Sequence, residues 1–88
     1  MGLEIIKLEK NDCPGCKILG IILENEVDYP IKVVNLDQSP ELNEKYSVLS
    51  VPVLIFENNG VEVERLTEGT QFNGEKINNI IDKYKKTK

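Results

Sequence analysis

LEIIKLEKNDCPGCKILGIIL, residues 3–23, is the stretch whose reading decides the fold. Residues 3–9 are β-branched, apolar and charged residues in the mixture of a strand. Lys10-Asn11-Asp12 is a polar turn. From Cys13 the period changes: Cys16, Leu19 and Leu23, with Ile18 and Ile22, recur at helical offsets and mark one helix face. Pro14 suits the first helical turn, where its missing N–H costs nothing. Cys13-Pro14-Gly15-Cys16 therefore sits directly after a strand and directly before an apolar helix. These are the only two cysteines of the chain. At this spacing both sulfurs face one point when the segment opens a helix. The pair can then open and close as a disulfide, one thiolate attacking a substrate disulfide and the other resolving the mixed disulfide.

Working outward, the same punctuation continues. The first helix frays near residues 25–29, before Pro30. Residues 31–37 (IKVVNLD) read as a second strand. Ser39 is the expected N-cap of a short helix with Pro40 at its first position and Glu41 in its first turn, Leu42 and Tyr46 sharing a face. Residues 51–56 (VPVLIF) read as a buried strand led by proline. Asn59-Gly60 supplies the positive φ angles of a tight hairpin, and Val61 and Val63 then alternate with Glu62 and Glu64 in a half-solvated partner strand. Residues 69–74 are expected to be a loop, with Asn73 capping a last helix that carries Ile77, Ile80, Ile81 and Tyr84 on one stripe. The order βαβαββα implies parallel crossovers plus one antiparallel pair, hence an α/β fold: a four-stranded mixed sheet flanked by three helices.

Eighty-eight residues make one domain, 1–88, with a small core. A formal charge of −4 argues against nucleic acid or an anionic membrane as partner. The basic end, Tyr84-Lys85-Lys86-Thr87-Lys88, reads as cations complementing a helix C-terminus. Residues 1–10 lack the apolar run of a signal peptide. The longest apolar run, residues 18–23, is interrupted by Gly20 and is too short to span a bilayer. The expected location is cytoplasmic, where a cysteine pair is catalytic or metal-binding rather than structural. Histidine is absent, which removes His-based zinc sites, Cys-His dyads and a His general base. Two cysteines supply only half of a zinc site, so a metal or iron–sulfur cluster would have to be shared between two chains.

The chain resembles the thioredoxin superfamily over nearly its whole length. The stretches that carry the resemblance are Cys13-Pro14-Gly15-Cys16, Asn35-Leu36-Asp37-Gln38-Ser39-Pro40, Tyr46-Ser47-Val48 with Val51-Pro52, and residues 56–61 with Gly69. The resemblance implies a cis-proline at Pro52 facing the dithiol, which would turn the Val51 backbone toward an extended substrate. Read without it, Pro52 merely starts a strand, a position proline tolerates. The resemblance also implies that Pro14, Gly15, Val51, Pro52 and Gly69 form the substrate surface, and that no cofactor is bound beyond the redox-active disulfide itself. Three residues depart from the family pattern. Asp12 replaces the tryptophan that often precedes the first cysteine, Pro14-Gly15 reverses the usual Gly-Pro, and Lys7 stands where thioredoxins carry a buried aspartate. The glutathione signature of glutaredoxins is not evident at Gly69-Thr70-Gln71-Phe72, although the chain is as compact as a glutaredoxin.

Cys13 is the expected nucleophile because it opens the helix, where unpaired N–H groups and the dipole favour a thiolate. Lys10 and Lys17 would help and Asp12 would oppose. Cys16, one turn further in, is the expected resolving thiol. Lys7 reads as an edge or solvent-facing lysine. Tyr29, Tyr46 and Tyr84 read as core residues with wet hydroxyls, Asp37 and Glu41 as turn and helix-start residues, and Glu62 and Glu64 as the exposed face of an edge strand. The function expected is that of a monomeric thiol-disulfide oxidoreductase that reduces protein disulfides and is recharged by a thioredoxin-reductase-type flavoprotein. The alternatives are a glutathione-linked glutaredoxin and a non-catalytic binding or metal-sharing module on the same fold.

Overall fold

The computed structural model describes residues 2–85. Chain order is β1 (Leu3–Glu9), α1 (Pro14–Glu26), β2 (Ile31–Asn35), α2 (Glu41–Tyr46), β3 (Val53–Asn58), β4 (Val61–Leu66) and α3 (Gly74–Lys85), with a 3₁₀ turn at Gly69–Gln71. The sheet order is β2-β1-β3-β4. β1 pairs parallel with β2, from Ile5 opposite Ile31 to Glu9 opposite Asn35. It pairs antiparallel with β3, from Leu3 opposite Asn58 to Leu8 opposite Val53. β3 and β4 form the expected hairpin. Asn59 (φ 55°) and Gly60 (φ 84°) both take the left-handed conformation that a two-residue turn of this hand needs. This is the four-stranded mixed sheet with three helices that the sequence implies.

The strand period of two divides the core. Leu3 and Ile5 of β1, with Leu54 and Phe56 of β3, face Leu19 and Leu23 of α1 and Ile77, Ile80 and Ile81 of α3. Ile6 and Leu8, with Val53 and Ile55, face the other way, toward Leu36 and the half-buried Leu42 and Tyr46 of α2. Both faces of β1 and β3 are covered, so these two strands carry the fold and fix where their ends point. The ends beside Glu9 and Val53 are the ends at which the cysteine pair and Pro52 sit.

Several boundaries differ from expectation, each for a local reason. β2 ends at Asn35 rather than Asp37, because the Asn35 side-chain oxygen accepts the N–H groups of Asp37 (2.9 Å) and Gln38 (3.3 Å) and turns the chain. Ser39 is not the side-chain cap of α2. Its own N–H is already taken by the Asn35 carbonyl, the turn runs straight into the helix, and Pro40 holds the boundary position with helical angles. β3 starts at Val53, leaving Val51 and Pro52 ahead of the ladder. The segment expected as a loop after Gly69 contains the 3₁₀ turn. Asn73 caps α3 as expected, its side-chain oxygen accepting the Lys76 N–H at 2.8 Å. The Tyr29 hydroxyl is not wet but donates to the Leu3 carbonyl at 2.6 Å, tying the loop after α1 to the start of β1. Burial first, then the carboxylates of Glu57, Glu4 and Glu62, pushes the Tyr46 phenol above its ordinary value. Lys83 and Lys85 stand in the last turn of α3, where cations complement the helix end. Lys86, Thr87 and Lys88 of the basic end lie outside the described residues. No helix among the described residues is long and apolar enough to cross a membrane.

Candidate active site

The site begins with the turn between β1 and α1. Asn11 is held from two sides. Its N–H donates to the Asp37 carboxylate at 2.8 Å, and its side-chain oxygen accepts from the Asn35 amide at 3.0 Å. Asp37 thus serves a turn as expected, but one 26 residues away in sequence. Asp12 follows with a left-handed φ of 54°, a conformation aspartate tolerates better than most residues. The chain then enters α1 with Cys13 in the N-cap position and Pro14 next, at the first helical residue.

Cys13 and Cys16 are joined as a disulfide, with their Cα atoms 5.2 Å apart. Cys13 Sγ accepts the Cys16 N–H at 3.1 Å, so a free backbone donor at the helix start is aimed at this sulfur. Cys13 is half-buried, whereas Cys16 is only 3% exposed and belongs to the core. The two sulfurs are therefore unequal in access and in their share of the helix-end N–H groups.

Two clefts flank the pair. One, of about 290 Å³, is lined by Gly15, Val51, Pro52, Gly69 and Phe72, with Ile18 and Thr67. It brings together four of the five residues expected to form the substrate surface. Pro14 stands exposed at the helix start, outside that lining. The Val51–Pro52 peptide bond is cis, as the resemblance implied. A methyl group at Gly15 would lie 3.3 Å from Pro52 Cδ, so the absence of a side chain there lets the proline ring close onto the cysteine turn. Ile18, expected on the buried face of α1, is instead 60% exposed and forms one wall of this cleft. The signal was present: Cys16, Leu19 and Leu23 already define the buried stripe, and Ile18 lies off it.

The second cleft, of about 480 Å³, is polar and lies on the β1 side of the disulfide. Cys13 and Cys16 line it, with the charged side chains of Lys7, Glu9, Lys10, Asp12 and Lys17. Lys7 corrects the expectation most. It is not solvent-facing but 7% exposed, and it is the only buried charged residue among those described. Its ammonium pairs with Glu9 at 2.9 Å. No group of three or more cysteine, aspartate or glutamate side chains among the described residues could hold a metal ion.

Comparison with known proteins places this geometry in a family. Over 64 residues the chain is 34% identical to the SPbeta prophage-derived thioredoxin-like protein YosR of Bacillus subtilis, covering 72% of this chain and 79% of that relative. Over 68 residues it is 41% identical to a thioredoxin of Chlamydia trachomatis, covering 73% and 67%. The chain belongs to the thioredoxin family. Its fold is shared with the solved thioredoxin of Fasciola hepatica, at a TM-score of 0.74 and 23% identity over 94% of this chain and 81% of that one. A single-site mutant of the thioredoxin from Halobacterium salinarum superposes at 0.78 with 20% identity, covering 94% and 74%. No family model matches the chain. A thioredoxin with a cysteine pair joined at its helix start is a thiol-disulfide oxidoreductase.

Proposed function

We propose that this thioredoxin reduces disulfides of protein substrates, with Cys13 as nucleophile and Cys16 as resolving thiol, and that a thioredoxin-reductase-type flavoprotein recharges it in the cytoplasm, where it acts as a monomer. The observation that carries the reading is the inequality of the two sulfurs: Cys13 at the N-cap is half-buried and its sulfur accepts the Cys16 N–H at the helix start, while Cys16 is buried one turn behind it. In the reduced protein the Cys13 thiolate attacks one sulfur of a substrate disulfide, and the other substrate sulfur leaves as a thiolate that takes a proton. The Cys16 thiol then loses its proton and attacks Cys13 Sγ. The Cys13–Cys16 disulfide forms, and the second substrate sulfur leaves reduced. Two electrons have passed from the dithiol to the substrate, and two electrons and two protons from the reductase restore it.

Substrate recognition falls to the apolar cleft of Gly15, Ile18, Val51, Pro52, Gly69 and Phe72. Val51 lies ahead of the β3 ladder, which starts at Val53, so its peptide groups are available to an extended chain. Flavoprotein coupling is favoured over glutathione because no glutathione signature stands at Gly69-Thr70-Gln71-Phe72.

The test is turnover of a disulfide-bonded protein, coupled either to NADPH and a thioredoxin reductase or to glutathione and its reductase. The expected outcome is turnover with the flavoprotein, none for Cys13→Ser, and a covalent substrate adduct that accumulates on Cys16→Ser. Unchanged turnover by Cys13→Ser would overturn the assignment of roles, and turnover only with glutathione would overturn the choice of partner.

A further inference from the structure

Burying an ammonium is costly even beside a counter-charge, and a position that does so beside a reactive pair invites a functional explanation. Lys7 shares the β1 face of Leu3 and Ile5, the face that α1 covers. Its side chain runs beneath α1: a methyl group at Gly20 would stand 3.1 Å from Lys7 Nζ. A glycine inside a helix costs about 1 kcal/mol relative to alanine, so the room that Gly20 leaves for this amine is itself a sacrifice of helix stability. The amine lines both the cleft that holds Cys13 and Cys16 and a neighbouring cleft of about 740 Å³ between α1 and β2.

We propose that Lys7 is a positioning residue that favours the thiolate form of Cys13 in the reduced pair, with Glu9 as the counter-charge that sets how strongly it does so. The proposal rests on the assignment of Cys13 as nucleophile. The charged residues lining the cleft that holds the pair are Lys7 and Glu9 from β1, Lys10 and Asp12 from the turn, and Lys17 from α1, while β2 contributes only the neutral Asn35 to it. Three ammonium groups and two carboxylates line it, and the Asp37 carboxylate accepts the Asn11 N–H at its edge. Lys7 alone among them is buried, at 8% side-chain exposure against 25% for Glu9, so its field is the least screened by water. A cation close to a thiol favours its ionised form by about one to three pH units, and the Glu9 carboxylate offsets part of this. A larger thiolate fraction at neutral pH speeds attack on a substrate disulfide and makes the protein's own disulfide easier to reduce.

The experiment is the ultraviolet thiolate titration of the reduced protein, for wild type, Lys7→Met, Glu9→Gln and the double variant. Lys7→Met should raise the Cys13 midpoint by about one pH unit. Glu9→Gln, which frees the ammonium from its partner, should lower it. The double variant should fall between the two. Opposite signs from the two members of one ion pair are an electrostatic signature that loss of packing does not produce. If Lys7→Met alone fails to fold, comparing the double variant with Glu9→Gln isolates the same charge, and the double variant should titrate higher. Equal midpoints in all four proteins, or single variants that move together, would overturn the proposal while leaving the Cys13 assignment intact. A wild-type protein whose cysteines both titrate as ordinary free thiols would overturn that assignment and this inference with it.

Discussion

Reducing the Cys13–Cys16 disulfide releases a constraint on the unfolded chain, and the structure sets how much stability should go with it. The bond closes a loop of only four residues, at a sequence separation of 3. In the chain-entropy account a loop this short is worth about 2 kcal/mol at 25 °C. Against this stands a gain in the reduced state. A Cys13 thiolate would face the start of α1, where an anion is stabilised by about 0.3–1 kcal/mol. The oxidised protein should therefore be the more stable form by about 1–1.5 kcal/mol. For an 88-residue chain the entropy of unfolding is about 0.18 kcal/mol per kelvin, so the difference is about 5–8 °C in Tm. The assay is a pair of urea and thermal melts at neutral pH, one on the oxidised protein and one in excess dithiothreitol. The gap should also depend on pH. A Cys13 whose folded pKa lies below its unfolded one adds stability to the reduced form above the unfolded value and loses it as pH falls through the folded value. The gap should be widest in mild acid and narrow toward pH 8.5. By the same cycle, folding makes this disulfide about tenfold harder to reduce, the direction that suits a reductant of other proteins. A reduced form that melts at or above the oxidised one would refute the reasoning, since thiolate stabilisation would then outweigh loop closure and the protein would serve better as an oxidant.

Three further outcomes are expected. Phe56→Ala, at a fully buried position in β3, should cost about 3–5 kcal/mol. Domains of this size hold about 4–13 kcal/mol in total, so urea unfolding should start with little or no native baseline. Asn73→Ala removes the side-chain acceptor of the Lys76 N–H and should lower stability by about 1 kcal/mol, with turnover unchanged. The Arg65 hydrogen bond, aided by its charge and partly opposed by burial, holds the Glu62 carboxylate below its ordinary range. That contribution is present above the unfolded carboxylate pKa and is lost as pH falls through the folded one. Because the pair is partly exposed and screened by water, Glu62→Gln should flatten the acid limb of the urea midpoint between pH 6 and 3 by only about a few tenths of a kcal/mol.

Most of the fold was legible because its decisive signals are local. The positive φ at Asn59-Gly60, the switch of period at Cys13 and the Asn73 cap each act within a few residues, and each stands where the letters place it. The errors cluster where a side chain satisfies the backbone from outside its own element. Asn35 ends β2 early by accepting from Asp37 and Gln38, and its carbonyl occupies the N–H of Ser39, the residue that the pattern marks as a cap. The tie from Asn11 to Asp37 spans 26 residues and leaves no periodic trace. It nevertheless decides where the cysteine turn points.

Lys7 shows why the charged half of the site was harder to read than the sulfur half. A lysine in a strand is ordinarily solvent-facing, because desolvating an ammonium costs several kcal/mol. Strand parity argues otherwise: Lys7 follows Leu3 and Ile5 on the inward face, and Glu9 continues that face two residues on. At about 3.3 Å of rise per residue, neighbours on one face stand within reach of each other's long side chains. The strand thus brings the counter-charge with the charge, and the interior glycine of the helix above supplies the room. Three local rules bend at once here: an inward lysine, a same-face acid and a helix-interior glycine. A protein this small has few kcal/mol to spare for such departures. Two of them, Lys7 and Glu9, line the cleft that Cys13 and Cys16 share, which is the reason to seek their effect in the chemistry of the thiols as well as in the stability of the fold.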